Sequence, residues 1–233
     1  MTNVVVIMAA GRGTRMGELT ADRPKHLLQV LGRPFLDHTL DRLRAAGFRE
    51  IIIITGHKNH VFAPYERMTD IRLVEQRQLH DRYGTAAAVE TVKSLIGNRT
   101  FAVVAGDNMY SVDDLRKITV DSPHLWVGGF RTAAWKGMGI LKLKPDGYLD
   151  RIVEKPETFI GDLANASIYL FTPKIFTAIE SISPSPRGEY EITDAINQVA
   201  AREPVNVFEL EDRWLDLTKP EDIEKIERAL RTE

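Results

Sequence analysis

The chain has 233 residues, of which 43% are hydrophobic and 27% are charged, and its formal net charge is -2 at pH 7. This composition is ordinary for a globular protein, and the length allows one large α/β domain or two small ones. The near-neutral charge argues against a protein that binds nucleic acid mainly through bulk electrostatics. Because the chain contains no cysteine, disulfide scaffolds, thiolate zinc sites and cysteine nucleophiles are excluded.

The longest apolar stretch, residues 4–10, is far too short to span a membrane. It has no basic segment before it and continues into a glycine- and arginine-rich loop, so it does not have the pattern of a secretion signal. We therefore expect a cytoplasmic protein that binds neither membranes nor nucleic acid.

In the first half of the sequence, strand patterns alternate with helix patterns. A continuous apolar, β-branched run predicts a strand buried on both faces over 4–8, and further strands are predicted over 51–54, 71–74 and 101–105. Helical spacing predicts helices over 34–46 and 85–96. This alternation predicts a doubly wound α/β fold with a mostly parallel sheet. Ligands of such sheets bind beyond the carboxyl ends of the strands, so the residues directly after each strand are the candidates for function.

The pattern changes at about residue 124. Strands are predicted over 125–130, 139–143, 148–153 and 167–171, a hairpin turn at 144–147, and helices over 173–181 and 190–201. A capping box in residues 218–221 predicts the start of a last helix. Since no Pro-, Gly- or Ser-rich linker separates the halves, we expect a single domain, 1–233, in which 1–123 is doubly wound and 124–233 is a mixed α+β part.

A glycine-rich loop follows the first predicted strand, and residues 9–17 read AAGRGTRMG. Its glycine spacing is neither that of dinucleotide-binding loops nor that of the P-loop, so a nicotinamide dehydrogenase is disfavoured. The loop is unusually basic, with Arg12, Arg15, Arg23 and Lys25. Cations beside freely accessible backbone N–H groups suit a polyphosphate. The alternative is a turn whose arginines only face water.

The order of several motifs resembles that of the sugar-1-phosphate nucleotidylyltransferases, which include glucose-1-phosphate thymidylyltransferases and N-acetylglucosamine-1-phosphate uridylyltransferases. The motifs are GRGTRM at 11–16, RPK at 23–25, Gln76 with GTA at 84–86, GDN at 106–108, EKP at 154–156, Asn165 and WLD at 214–216. One glycine-rich loop is weak support, whereas motifs in family order over nearly the whole chain are specific. The resemblance implies transfer of a nucleotidyl group from a nucleoside triphosphate to a sugar 1-phosphate.

The resemblance implies a nucleotide-binding half, 1–123, whose residues serve the triphosphate. Arg15 and Lys25 would stabilise charge on the phosphates, and the reaction depends on positioning and charge neutralisation more than on a covalent nucleophile. Gly11 and Gly13 would cradle the phosphates, and Ala10 is small enough to pack against the base or ribose.

The same resemblance implies that Asp107 and Asp216 bind Mg²⁺, the expected cofactor, together with phosphate oxygens and water. Asp212 lies close to Asp216 in the sequence. The usual family glycine two residues after this aspartate is replaced by Thr218, so the local backbone must differ from the family pattern. For Asp107, the alternative is an ordinary turn-forming aspartate.

The base would be read by Gln76, Gly84 and Thr85, and Gln78 could share this role. An amide side chain both donates and accepts, which matches the imide edge of uracil or thymine, so UTP or dTTP is favoured. A polar residue at a strand end is the alternative interpretation of Gln76.

The half 124–233 would bind the sugar phosphate. Lys155 would bind its phosphate, Glu154 would accept from sugar hydroxyls, and Gly139 and Asn165 would line the pocket. A plain ion pair is the alternative for Glu154 and Lys155. Tyr169 is expected in the core.

Three lesser positions complete these expectations. Residues 189–194 could serve the sugar site or simply begin a helix. His57 is expected to be structural, and Lys225 is expected on a solvated helix face.

Other functions on the same fold are considered as well. One alternative is cytidylyl or guanylyl transfer to inositol 1-phosphate, mannose 1-phosphate or choline phosphate, although no aromatic cage for choline is evident. Another is a non-catalytic nucleotide-sensing subunit. No hexapeptide repeat occurs, so neither an acetyltransferase fusion nor a long allosteric form is expected, and a homo-oligomer is one possible assembly.

Overall fold

The structure is a computed structural model that describes residues 1–76, 82–212 and 214–232. Its strands are β1 Val4–Ala9, β2 Gln29–Val30, β3 Arg33–Pro34, β4 Glu50–Thr55, β5 Ile71–Glu75, β6 Phe101–Ala105, β7 Asn108–Met109, β8 Trp126–Arg131, β9 Gly139–Leu143, β10 Leu149–Glu154, β11 Leu163–Phe171, β12 Asn206–Glu209 and β13 Leu215–Asp216. Its helices are α1 Phe35–Ala46, α2 Thr85–Glu90, α3 Lys93–Ile96, α4 Val112–Arg116, α5 Lys174–Ser181, α6 Ile192–Ala200 and α7 Pro220–Leu230, with 3-10 segments at Thr14–Thr20, Lys25–Leu27 and Asn59–Arg67.

A nine-stranded mixed sheet forms the centre of the molecule, in the order β10-β9-β11-β6-β1-β4-β5, with β8 beside β11 and β12 beside β8. Strands β6, β1, β4 and β5 are mutually parallel neighbours, whereas β11 runs antiparallel to β6. The predicted α/β architecture with a mixed, mostly parallel sheet is confirmed. Because the four parallel strands end at one edge, the segments that follow them meet there.

Both faces of β1, β4 and β6 are buried, as their continuous apolar runs predicted, whereas the edge strand β5, predicted as a buried strand over 71–74, is only partly buried. Val4 and Val6 of β1 lie in one hydrophobic cluster, with residues of α2, α5 and α6, while Val5 and Ile7 lie in another, with residues of α1 and α4. Helices therefore cover the two faces of the sheet in the doubly wound manner.

Strand β11 connects the strands of the two sequence halves within one sheet. It pairs with β6 on one side and with β8 and β9 on the other. The predicted hairpin is present, since Gly147 N donates to Lys144 O (3.0 Å) between β9 and β10, and Gly147 adopts φ +87. The assignment of one domain with a division at residue 124 stays a prediction.

Two helix predictions need correction. The helix expected over 85–96 is divided into α2 and α3, because Thr91 donates its hydroxyl to Ala88 O (2.6 Å) and Val92 leaves the helical conformation. At α7, the capping carboxylate is that of Asp222 and not of Glu221, since it accepts from Lys219 N (2.7 Å). Helix α4 and strand β12 were not predicted.

Among the described residues, no helix has the length and apolar content needed to cross a membrane.

The packing of α1 against the sheet gives a stability prediction. Leu40 is 1% exposed, so Leu40→Ala should lower the free energy of unfolding by about 2–5 kcal/mol in urea denaturation. Leu143→Ala is the matched control, because Leu143 is 42% exposed and its truncation leaves little cavity. Equal losses in the two variants would contradict this account of the core.

Candidate active site

Two cavities open at the edge where the parallel strands end. The larger has a volume of about 700 Å³ and the smaller about 280 Å³, and Asp107 and Ser167 line both. Of the residues predicted from the sequence, the larger cavity brings together Arg15, Asp107, Gly139, Glu154, Asn165 and Asp216. The smaller brings together Ala10, Gly11, Lys25, Gln76, Gly84, Thr85 and Asp107. The site thus has two compartments that meet at one carboxylate.

The glycine-rich loop is anchored from beneath while its outer residues remain exposed. Gly13 adopts φ +65, and the Thr20 hydroxyl donates to Gly17 O (3.1 Å). Lys58 Nζ donates to Thr20 O (2.8 Å) and also to Ala21 O. These bonds hold the loop in place, and Gly11 and Arg15 are left facing solvent at the cavities.

Lys25 is buried and forms an ion pair with Asp107. The Cβ of Lys25 lies 3.3 Å from the position that a Cβ on Gly13 would occupy, so the loop packs closely on this side chain. Burial alone would raise the pKa of Asp107, but the charge and hydrogen bond of Lys25 outweigh burial and hold this pKa below its usual value. The carboxylate is therefore ionised at neutral pH.

Asp107 and Asp216 are brought together although 108 residues separate them in the sequence. Asp216 pairs with Asn108 in the β7–β13 ladder, and Leu217 N donates to Asp107 O (2.8 Å). Burial raises the pKa of Asp216, and the neighbouring Asp107 raises it further. Asp212 does not line this cavity, so the geometry favours Asp216 of the two candidates.

The donor set fits Mg²⁺ bound by few protein groups. Asp107 and Asp216 line one cavity, and carboxylates together with phosphate and water oxygens are typical Mg²⁺ ligands. Within residues 1–76, 82–212 and 214–232, no group of three or more His, Asp, Glu or Cys side chains is arranged to hold a metal. A metal held by the protein alone is therefore not supported by the described residues, whereas a metal shared with a polyphosphate fits.

The smaller cavity is lined by Gln76, Gly84 and Thr85, the residues predicted to read the base. The Gln76 amide donates weakly to Gly84 O (3.5 Å), while Gln76 N donates to Thr55 O (2.7 Å). Gly84 adopts φ +126, and a Cβ there would lie 2.5 Å from Tyr190 O, so only glycine fits. Thr85 Oγ1 accepts from a backbone N–H at the start of α6 (2.9 Å) and fixes this wall.

The larger cavity contains a half-buried acid beside a glycine. Gly139 and Glu154 are partners in the β9–β10 ladder, and a Cβ on Gly139 would lie 2.9 Å from Glu154 Oε1. Burial raises the pKa of Glu154. Asn165 donates to the Tyr169 hydroxyl (2.8 Å), so Tyr169 is in the core as expected and also orients a cavity side chain.

Two predicted residues do not line either cavity. Gly13 shapes the loop from outside the lining, and the Lys155 side chain is exposed, with its backbone at φ +44. Arg23 is paired with Asp22 (2.8 Å) at the surface. Gln78, the alternative base-reading residue, lies outside the described residues.

A family comparison accounts for this arrangement. The model of the family described as "Nucleotidyl transferase" matches residues 4–233. The chain belongs to the nucleotidyl transferase family. The resemblance inferred from the sequence motifs is thereby confirmed, and nucleotidyl transfer is the reaction class of the family.

Among curated relatives, a bifunctional sugar-1-phosphate nucleotidylyltransferase/acetyltransferase of Sulfurisphaera tokodaii is 34% identical over 92% of the chain. The chain spans only 52% of the length of that relative. A protein of Haloferax volcanii named UTP–glucose-1-phosphate uridylyltransferase is 30% identical, and the match covers 98% of the chain and 96% of that relative.

Solved structures share the fold. A UDP-glucose pyrophosphorylase complexed with UDP-glucose aligns with a TM-score of 0.88 over 100% of the chain and 99% of that chain, at 23% identity. A putative glucose-1-phosphate thymidylyltransferase from Bacillus anthracis, in complex with a sucrose, aligns with a TM-score of 0.84 over 97% of the chain and 94% of that chain, at 26% identity.

This nucleotidyl transferase also has cavity residues that the sequence did not reveal. In the larger cavity they include Lys136, Ser167, Lys219 and Lys225, and in the smaller cavity Tyr83, whereas Asn108, Trp214 and Glu189 belong to segments that the sequence had already singled out. Ser167 adopts φ +54 where the β11–β8 register shifts, and no strand pattern reveals such a bulge.

Three further expectations concern surface and helix-start positions. Lys225 is exposed and pairs with Asp222 (3.0 Å), which agrees with the expected solvated helix face, and it also lines the larger cavity. Glu191 begins α6 and pairs with Arg187 (2.7 Å), which agrees with the helix-start interpretation of this acid. His57 is exposed, beside a small cavity that Gln76 also lines.

The Lys25–Asp107 pair predicts a change in pKa. In Lys25→Met, burial remains while the charge and hydrogen bond of Lys25 are lost, so the pKa of Asp107 should rise. Carbon NMR titration of the side-chain carboxyl measures this directly. Lys93→Met, which removes only the surface pair with Glu180, should leave the pKa of Asp107 unchanged.

The same shift affects stability as a function of pH. The pKa of Asp107 is lower in the folded protein than in the unfolded chain. The resulting stabilisation of the fold is therefore fully present above the unfolded pKa and is lost as the pH falls through the folded pKa. This loss should be absent in Lys25→Met. A pKa of Asp107 that stays below its usual value in that variant would contradict the assignment.

Proposed function

We propose that the protein catalyses Mg²⁺-dependent transfer of a nucleotidyl group from a nucleoside triphosphate to a sugar 1-phosphate. The products are a nucleoside diphosphate sugar and pyrophosphate. The observation that carries this proposal is the meeting of two cavities at Asp107, one of a size for a nucleoside and one with a half-buried acid suited to sugar hydroxyls.

In the proposed reaction, a phosphate oxygen of the sugar 1-phosphate attacks the α-phosphorus of the nucleotide. A new P–O bond forms, the bond to the bridging oxygen of the β-phosphate breaks, and pyrophosphate leaves with the electron pair. Attack in line requires the two substrates to enter from opposite compartments, which the shared wall at Asp107 allows.

Charge neutralisation is assigned to the cations around this wall. Lys25 is fixed by Asp107 and by packing against Gly13, so it is already oriented towards the phosphates. Arg15, exposed on the wall of the larger cavity, would contact the transferred or leaving phosphate. Gly11, on the smaller cavity, offers a backbone N–H without a side chain.

Asp107 and Asp216 would hold the Mg²⁺. When bound, the metal supplies neutralisation of the negative charge that develops on the phosphates. The ionised state of Asp107, held by Lys25, prepares this carboxylate as a ligand. A bound cation would favour the ionised form of Asp216.

The preferred base is proposed to be uracil or thymine, and the acceptor a hexose 1-phosphate. Gln76 supports a pyrimidine, because its amide lies on the cavity wall and can donate to and accept from an imide edge. The Haloferax volcanii relative named for UTP and glucose 1-phosphate supports the same substrates, since the match covers nearly all of both chains.

For the sugar phosphate, two lysines are candidates. Lys155 remains the residue that the motif predicts, and Lys136 lines the larger cavity. Glu154 would accept hydrogen bonds from hexose hydroxyls, because carboxylate oxygens accept and each hydroxyl has one O–H to donate.

The test is pyrophosphate release with each of the four common ribonucleotides and with dTTP, each combined with several sugar phosphates and Mg²⁺. We expect turnover with UTP or dTTP and a hexose 1-phosphate. Absence of turnover in every combination would refute the proposed activity, while turnover restricted to CTP or GTP would refute the base assignment.

The metal assignment gives a variant prediction. Asp107→Asn should lower Mg²⁺-dependent turnover by about 100-fold or more, a typical loss when one charge-stabilising group is removed. Circular dichroism should show that the variant is folded. Asp113→Asn is the control, because that exposed carboxylate on α4 pairs with Arg116 at the surface and lines neither active-site cavity. Normal turnover in Asp107→Asn would show that the metal assignment is wrong.

A further inference from the structure

Asp114 is a buried carboxylate that lines neither active-site cavity. It lies in the first turn of α4 and is 1% exposed. Its oxygens accept from the Ser111 hydroxyl (3.0 Å) and the Lys117 ammonium (2.9 Å). They also accept from the backbone N–H groups of Glu211 (3.0 Å) and Asp212 (3.3 Å). A buried charge with four donors around it is fully compensated, and its removal is costly.

These bonds connect two distant chain segments. Helix α4 follows β7, which begins directly after Asp107, and residues 211–212 precede β13, which contains Asp216. Asp114 therefore ties together the chain after one proposed metal ligand and the chain before the other. Lys117 reinforces this connection, because its ammonium also contacts Glu211 (3.2 Å) and Glu209 O (2.9 Å).

The ladder that holds the two aspartates side by side is short. Strands β7 and β13 pair over two residues each, Met109 with Leu215 and Asn108 with Asp216. Two short strands by themselves are marginally stable, so their register needs support from outside the ladder. The bonds of Asp114 to residues 211 and 212 supply such support only a few residues before β13.

Helix capping alone does not explain this carboxylate. Ser111 already caps α4, because its hydroxyl accepts from Asp114 N (3.1 Å). A capping role would explain the bond between Asp114 and Ser111. It would not explain why Asp114 also accepts hydrogen bonds from the backbone N–H groups of Glu211 and Asp212. The long-range bonds are the feature that a local role leaves unexplained.

We propose that Asp114 is a positioning residue that sets the register of the β7–β13 ladder and thereby the relative placement of the Asp107 and Asp216 carboxylates. This inference rests on the proposed function, because it takes Asp107 and Asp216 to be the ligands of the metal. It predicts that loss of the Asp114 charge weakens metal binding without removing any metal ligand.

The test variant is Asp114→Asn, which keeps the shape of the side chain. The four groups bonded to the carboxylate are all donors. The NH₂ of asparagine is also a donor, so it would face another donor and at least one hydrogen bond would be lost. The matched control is Asp70→Asn, which removes a half-buried carboxylate bonded to Arg44 (2.7 Å) away from both cavities. Urea denaturation gives the stability lost in each variant.

Metal affinity is measured with Mn²⁺ by electron paramagnetic resonance, on the whole protein with a non-hydrolysable nucleoside triphosphate analogue. Asp114→Asn should raise the Mn²⁺ dissociation constant about tenfold, the lower end of the effects seen when groups behind metal ligands are replaced. Asp70→Asn should leave it unchanged. If Asp114→Asn does not fold, Lys117→Met is used, and a smaller increase in the same direction is expected.

Hydrogen exchange gives a readout that does not depend on the metal. In Asp114→Asn, the amide of Leu217, which donates to Asp107 O, should exchange faster, while the amides of β4 keep their protection. Unchanged exchange at Leu217, or unchanged Mn²⁺ affinity with a stability loss like that of Asp70→Asn, would overturn the inference. If the wild-type protein shows no turnover, the proposed function fails, and exchange at Leu217 still decides the role of Asp114.

Discussion

The ion pair between Lys25 and Asp107 is the interaction on which the arrangement of the site depends. It joins the end of the glycine-rich loop to the segment after β6, and these segments come from two parallel strands that are neighbours in the sheet. Because the pair lies where the two cavities meet, it orders the wall between them. The smaller cavity is lined mostly by residues of 1–123, and the larger cavity is lined mostly by residues of 124–233.

The pKa values of Asp107 and Asp216 are shifted in opposite directions, and the difference has a physical cause. Asp107 has a buried cation as partner, so its pKa is lowered despite burial. Asp216 lies half-buried beside Asp107, so burial and the like charge both raise its pKa. A pair of this kind attracts a cation more strongly than two solvated carboxylates, because a bound cation relieves the repulsion between them.

Much of the sheet could be predicted from the sequence, and the reason is its burial on both faces. The apolar runs of β1, β4 and β6 are typical of strands that are buried on both faces. Because these strands are parallel, the residues that follow them lie at one edge of the sheet. The motifs then predicted several residues of each cavity. What local patterns could not predict was the bulge at Ser167 and the approach of Lys219 and Lys225, because these depend on how distant segments pack.

The segment after Asp216 shows how one side chain can replace a glycine. The family pattern has a glycine where this chain has Thr218, which raised the question whether the backbone could still pass the site. Thr218 is not one of the described residues with a positive φ, so no left-handed residue is needed there. The Asp222 carboxylate accepts from Thr218 N (3.1 Å) and Lys219 N (2.7 Å), and it thereby fixes both residues against the start of α7. The bonds that a glycine turn would satisfy within the backbone are satisfied here by a helix cap, and Asp216 keeps its place opposite Asn108.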